Sequence, residues 1–177
     1  IVDGDWNRKI QNELTKELEG VRVRNLMVDS QDTLWIATAG KGIYQVSHDS
    51  SVTVYDETVN TNGQRFRSLI ELGDGTIMAS GDSGITYIKD GKVTRTIGSE
   101  DGLDNTKLLC LMECTDGSVL AGSDGAGIYR IQDGKVTGHY SKEDGLSSGV
   151  VMRLVKSMNE EAKMKPIFSA NCSMSIS

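Results

Sequence analysis

The chain sets short apolar runs between turns rich in aspartate and glycine. One of these patterns returns. Asp32–Tyr44 reads DTLWIATAGKGIY, Asp74–Tyr87 reads DGTIMASGDSGITY and Asp116–Tyr129 reads DGSVLAGSDGAGIY. Counted on Asp32, Asp74 and Asp116, the period is 42 residues each time. A second pattern recurs at a spacing of 43, with Lys89-Asp90-Gly91-Lys92-Val93-Thr94 returning as Gln132-Asp133-Gly134-Lys135-Val136-Thr137. The difference is one extra residue in the loop between Ser123 and Gly127.

A repeat of this length that holds four short strand-like runs predicts β-propeller blades, because a single four-stranded sheet cannot bury both its faces and must stack on neighbours. In the middle copy the pattern predicts a first strand over Phe66–Leu72, a second over Thr76–Ser80, a third over Ile85–Lys89 and a fourth over Lys92–Ile97. Asp-Gly turns separate them, as tight hairpins require residues that accept positive φ. Leu69-Ile70, Leu108 to Met112 and Trp35 to Ala37 are unbroken apolar runs, which predicts strands covered on both faces. The expected organisation is an all-β propeller fragment with whole blades over 23–56, 65–97 and 108–140. The end of a preceding blade is expected over 1–22 and an incomplete one over 150–177.

The two ends read less regularly. Asp3-Gly4-Asp5-Trp6 is similar to the turns between third and fourth strands, and the repeat predicts an outer strand near the N-terminus. Ile10, Leu14 and Leu18, spaced by four, fit an amphipathic helix as the rival reading. Val150–Lys156 reads as the first strand of a fourth copy and Ile167–Ala170 as a second strand. The partial ends allow either a small closed ring or an open arc, and exposed blade edges predict self-association.

Composition agrees with this picture. Of 177 residues 20 are glycine and one is proline, so turns rather than proline-rich linkers punctuate the chain. The net charge of −6, without a basic stripe, argues against nucleic acid and against contact with an anionic membrane surface. No apolar run is long enough to span a bilayer, and the first residues lack the pattern of a signal peptide. Cys110, Cys114 and Cys172 are odd in number. Four residues along one strand would place Cys110 and Cys114 about 13 Å apart, beyond disulfide reach. They read as small core residues.

The first copy carries a resemblance. Val-Arg-Asn-Leu-Met-Val-Asp-Ser-Gln-Asp-Thr-Leu-Trp-Ile-Ala-Thr over 23–38, then Gly42-Ile43-Tyr44, and later the Glu-Asp-Gly-Leu loops at 100–103 and 143–146, resemble the two-component regulator propeller repeat. Aligned on the aspartates, the later copies set Ile77 and Val119 where the first has Trp35. The resemblance implies a sensor domain outside the cytoplasm, usually of seven blades, in a bacterial receptor whose output is a histidine kinase or a diguanylate cyclase. No phosphoacceptor histidine motif or cyclase motif of such an output module occurs in these residues.

Candidate chemistry is sparse. The Asp-rich turns lack the dense ligand spacing of a calcium loop and are what hairpins need. Gly122, Gly125 and Gly127 are followed by neither Lys-Ser/Thr nor a helix, so they do not form a phosphate loop. Ser141, Asp144 and His139 are triad residue types on an outer strand and its loop. No cofactor and no metal is expected. In a propeller the loops between second and third strands share one face with those entering the first strands. That arrangement predicts a rim of Lys41, Arg65, Arg67, Asp82, Ser83, Asp104, Asn105, Lys107 and Asp124, suited to a small molecule, an oligosaccharide or a protein partner. The expected function is non-catalytic ligand sensing. A protein-interaction scaffold is the second reading, and a propeller lyase or glycosidase, for which the strand starts offer only Arg24, Arg65 and Arg67, is a distant third.

Overall fold

A computed structural model describes residues 12–156 together with the short strand at 174–175. Three four-stranded antiparallel sheets follow one another along the chain, each a meander in sequence order. The first contains β1 (Val23–Val28), β2 (Leu34–Thr38), β3 (Ile43–Val46) and β4 (Val52–Tyr55). The second contains β5 (Phe66–Glu71), β6 (Ile77–Gly81), β7 (Gly84–Lys89) and β8 (Lys92–Ile97). The third contains β9 (Leu108–Glu113), β10 (Val119–Ser123), β11 (Ile128–Gln132) and β12 (Lys135–Tyr140). These are propeller blades, and the predicted strands of the middle copy fall within a residue of those observed.

Apolar residues from neighbouring sheets close the space between them. Trp35, Ala37, Ile43 and Tyr55 of the first sheet pack with Phe66, Leu69, Ile77 and Ile88 of the second. Met78, Ile85 and Ile97 of the second pack with Leu111, Val119, Ala121, Tyr129 and Ile131 of the third, and Leu103 enters from the connecting loop. The unbroken apolar runs of the sequence thus serve two interfaces at once, as strands covered on both faces must. Two carboxylates add polar clasps between blades. Glu71 accepts from the Ser30 amide at 2.8 Å and the Ser30 hydroxyl at 2.6 Å, and Glu113 accepts from the Gly73 amide at 3.1 Å.

Strand register corrects the alignment of the copies. Val28, Glu71 and Glu113 occupy one position, facing Leu34, Ile77 and Val119 respectively. It follows that Asp32 stands with Gly75 and Gly117, not with Asp74 and Asp116. All three have positive φ, at 58°, 80° and 77°. By the same register Met78 and Leu120, rather than Ile77 and Val119, stand where the first blade has Trp35. Tyr44 and Tyr129 share their position with Thr86, because Ile43, Ile85 and Ile128 are equivalent. Tyr87 therefore lies on the opposite face of its sheet from that of the two tyrosines it matches in sequence.

One glycine position is dictated by packing. A Cβ on Gly84 would lie 2.1 Å from the carbonyl oxygen of Ile97, and Gly42 and Gly127 meet Tyr55 and Tyr140 in the same way. Each has positive φ, so the hairpin needs both the missing side chain and the left-handed backbone.

The N-terminal expectation of an outer strand fails for the described residues. Glu13–Glu17 form a short helix, α1, whose start is sealed by a reciprocal cap: Asn12 Oδ1 accepts from the Thr15 amide at 2.9 Å, and Thr15 Oγ1 accepts from the Asn12 amide at 2.8 Å. Leu14 and Leu18 pack on Ile36 and Tyr44, so their spacing marks a helix covering the first sheet. Ile10 and the Asp3–Trp6 turn lie outside the described residues. In the fourth copy, Val150 bridges to Asp124, and β13 (Val155–Lys156) pairs with β14 (Met174–Ser175). Residues 151–154 form no strand, although Val151 and Leu154 are buried against Cys110, Met112 and Leu120. Ile167–Ala170 and Cys172 lie outside the described residues. Cys110 and Cys114 are buried free thiols, and burial pushes the Cys110 thiol up to about 11.

Candidate functional site

The rim is built by a backbone contact that repeats in every blade. Each loop between second and third strands begins by donating an amide to the residue just before the first strand. Ala39 donates to Arg22 at 2.9 Å, Asp82 to Arg65 at 3.0 Å and Asp124 to Lys107 at 2.9 Å. Side chains from two loops that are distant in sequence are therefore fixed next to each other at one end of the blades.

The second and third blades each pair charges there. Arg67 Nε donates to Asp82 Oδ1 at 2.7 Å, with both side chains about a quarter exposed. Lys107 pairs with Asp124. Arg24, Arg65, Arg67 and Asp82 line one shallow depression with Ala39 and Phe66. An open polar groove is lined by Asn62, Ser83, Thr106 and the Ser99–Asp101 turn, at the seam between the second and third blades.

Asparagines hold the entering loops in place. Asn62 Nδ2 donates to the Ile97 carbonyl at 2.8 Å while its amide donates to Thr86 Oγ1 at 3.0 Å. Asn105 Nδ2 donates to the Asp124 carbonyl at 3.0 Å while its amide donates to Tyr129 OH at 2.9 Å. Thr106 Oγ1 donates to the Asp82 carbonyl at 3.1 Å, which ties the third blade's entry loop to the second blade's tip.

The predicted rim residues thus fall into groups. Arg65, Arg67 and Asp82 stand together, Ser83 lines the groove, and Asn105, Lys107 and Asp124 form the next cluster. Asp104 is exposed near Tyr129, whose hydroxyl pKa is pushed up chiefly by burial and further by the Asp104 charge. Lys41 is apart from these, its Nζ donating to the Glu17 carbonyl of α1 at 3.0 Å. Arg22 and Asn62 are absent from the rim expected from the sequence, in which Arg24 figures only as a catalytic candidate. The signal for the arginines lies in the repeat itself, since Arg22 shares the position of Arg65 and Lys107, and Arg24 that of Arg67.

Other sequence candidates resolve into structural duties. Asp144 accepts from the amide and hydroxyl of Ser141 at 2.9 and 3.1 Å, and His139 stacks on Tyr129 with ring centres 4.5 Å apart. Trp35 and Tyr129 are buried between blades and Tyr87 packs at the seam of the second and third, whereas Tyr44, expected between blades, is buried beneath α1.

An all-β array of four-stranded propeller blades with a polar rim is the class of protein this defines. No family model matches the chain, and no curated protein matches it. Solved structures share its fold. The extracellular domain of a protein described as a hybrid two-component system of B. thetaiotaomicron matches 78% of this chain with a TM-score of 0.64 at 16% identity. A second such extracellular domain from that organism matches 77% with a TM-score of 0.61 at 19% identity. The chain spans about a fifth of the length of those two, 20% and 21% respectively. A protein described as a gluconolactonase matches 76% of this chain and 51% of its own with a TM-score of 0.55 at 14% identity. Likeness at these identities is one of fold, and a fold does not fix chemistry.

Proposed function

We propose that this chain is a non-catalytic ligand-sensing segment of a bacterial signal-transduction receptor, acting outside the cytoplasm. The ligand is a small molecule or oligosaccharide held on the rim of Arg65, Arg67, Asp82, Ser83, Asp104, Asn105, Lys107 and Asp124, with Lys41 at its margin. A kinase or cyclase output domain in the parent protein reads the result.

The observation that carries this reading is the hydrogen-bonded link from Thr106 of one blade's entry loop to Asp82 at the tip of the blade before it. A ligand seated at that seam touches two blades at once, so its binding energy depends on their relative placement and shifts the population of arrangements the output domain senses. Both rim carboxylates that face strand starts, Asp82 and Asp124, are tied to cations. Neither stands ready as the proton acceptor a lyase or glycosidase requires. That the solved neighbours include extracellular domains of two-component systems supports the sensing role and the location. Among the described residues no helix is long and apolar enough to cross a membrane.

A thermal-shift screen of the chain against neutral and charged oligosaccharides and small metabolites tests this. The expected result is stabilisation by a ligand that Ser83→Trp, which fills the groove, abolishes. Stabilisation by none of them, alongside tight binding of a protein partner, would overturn it. Turnover lost in Arg67→Ala would favour an enzyme instead.

The β1 side of the first blade, which α1 leaves uncovered, favours the interaction-scaffold reading, in which the chain associates with a second copy or another protein. Leu69 and Leu111 are 5% and 7% exposed against the blades before them, whereas Leu26 at the same position of β1 is 62% exposed. Val28 beside it is 61% exposed. Sedimentation of the Leu26→Glu variant checks this, with self-association lost if that face mediates it.

A further inference from the structure

We infer that the depression around Ala39 is an anion site, recognising a ligand that carries two or more carboxylate or sulfate groups. This rests on the sensing reading above and assigns the charged groups of its ligand to the seam of the first and second blades, where Asp82 adjoins the groove at Ser83. Arg24 stands within electrostatic reach of the guanidinium groups of Arg22, Arg65 and Arg67, and Asp82 is the one carboxylate lining the depression with Arg24, Arg65 and Arg67.

The repeat explains the imbalance. Ala39 occupies the position of Asp82 and Asp124: all three follow the last residue of a second strand and donate their amide to the residue before the first strand. In the second and third blades that position supplies a carboxylate, which pairs with Arg67 and with Lys107. The first blade keeps the cations, Arg22 and Arg24, and lacks the anion. Among the described residues Arg22, Arg24 and Arg65 make no ion pair.

Ala39 also lies between the two basic strand starts, bonded to Arg22 through its amide and bridged to Arg65. The methyl group thus leaves open a space flanked by arginines from two blades. Arg24 is held below the ordinary arginine range, first by partial loss of solvent and then by the charges of Arg22, Arg67 and Arg65, with Asp82 opposing. Clustered like charge of this kind is relieved by a bound oxyanion. The planar, forked guanidinium matches a carboxylate or sulfate with two parallel hydrogen bonds. The chain as a whole has a net charge of −6, so the patch is a local reversal of sign that directs an anion to this end of the blades.

Calorimetric titration of the chain with trigalacturonate and with sucrose octasulfate, each beside its neutral counterpart maltotriose or sucrose, tests the site and separates carboxylate from sulfate recognition. At least one polyanion is expected to bind, less tightly as salt rises. Arg24→Ala and Arg65→Ala are each expected to weaken it by about fivefold. The decisive pair is at Ala39. Ala39→Asp restores the carboxylate that the other blades carry and is expected to weaken binding by about tenfold, while Ala39→Asn, of the same shape, changes it by less than about twofold. Both fit, because Asp82 and Asp124 already occupy equivalent positions. Equal affinity in the two Ala39 variants, or no polyanion binding, would overturn the site. Binding of maltotriose or sucrose without the polyanions would overturn it while leaving the sensing reading in place.

Discussion

Trp35 Nε1 donates to Asp29 Oδ2 at 2.8 Å, and the other oxygen of the same carboxylate accepts from the amides of Gln31 and Thr33. One side chain therefore organises the first turn of the first blade and anchors the indole that lies 3% exposed between two blades, stacked on Tyr55. The other blades cannot copy this, because Leu72 and Cys114 stand at the position of Asp29. Trp35→Phe keeps a packed ring and removes the donor, and is expected to cost about 1–2 kcal/mol in urea unfolding. Asp29→Ala also frees the turn amides and is expected to cost more.

Ser80 is fully buried, and its hydroxyl is the one side-chain polar atom among the described residues that is buried without a hydrogen-bond partner. The equivalent position of the first blade is Ala37. Removing an unsatisfied buried hydroxyl relieves a desolvation cost, so Ser80→Ala is expected to stabilise the chain by about 1 kcal/mol. An unchanged or lower unfolding midpoint would contradict this.

Gly84 carries φ of 109° and sits against the Ile97 carbonyl, so Gly84→Ala combines backbone strain with a clash that main chain must absorb. A loss of about 2–3 kcal/mol is expected on chemical unfolding. Gly75 has positive φ with nothing within 4 Å of an added Cβ, so Gly75→Asn, a residue tolerant of that backbone, is expected to be nearly neutral in the same measurement.

The clasp between Glu71 and Ser30 crosses from the second blade to the first. Glu71→Ala is expected to cost about 1 kcal/mol. Hydrogen exchange gives the sharper readout: the Ser30 amide should lose protection in that variant while the Gly73 amide, held by Glu113, keeps it.

Acid should weaken the fold through its turn carboxylates. Lys89 foremost, and then Thr76, lower the Asp74 carboxyl to about 2. The hydroxyl and amide of Ser118, and then the charge of Arg130, lower Asp116. Burial alone would raise Asp29, but the hydrogen bonds from Trp35, Thr33 and Gln31 outweigh it. Depressed carboxyls mean that the unfolded chain takes up protons first. Their contribution is therefore complete above the unfolded value and is lost as pH falls toward the folded one. The urea midpoint is expected to drop between about pH 4 and pH 2, and to drop less steeply in Asp74→Asn, which has no such proton to gain.

The blades are legible in the amino-acid sequence because their signals are local. Apolar runs of strand length report burial on both faces, and Asp-Gly pairs report hairpin geometry, so the strands of the middle copy can be placed almost to the residue. The rim is legible in kind, since the order of the repeat brings the loops after second strands to the starts of first strands. Register between copies is a different matter, because it depends on which backbone groups pair across strands. Asp29, Asp32 and Asp74 are the same residue type in similar turns. Only the pairing shows that Asp32 takes a glycine's backbone position while Asp29 reaches Trp35. The spacing of Leu14 and Leu18 fits a helix, but its target, Ile36 and Tyr44, exists only once the sheet has formed. Ala39 shows the same division most sharply. An alanine in a loop carries no chemical signal of its own. It becomes the position without a carboxylate in a charged rim because tertiary structure sets it level with Asp82 and Asp124 and brings Arg65, from the next blade, beside it. Local propensity reaches only a few residues along the chain, whereas the sign of the charge at one point is the sum over every segment that folding gathers there.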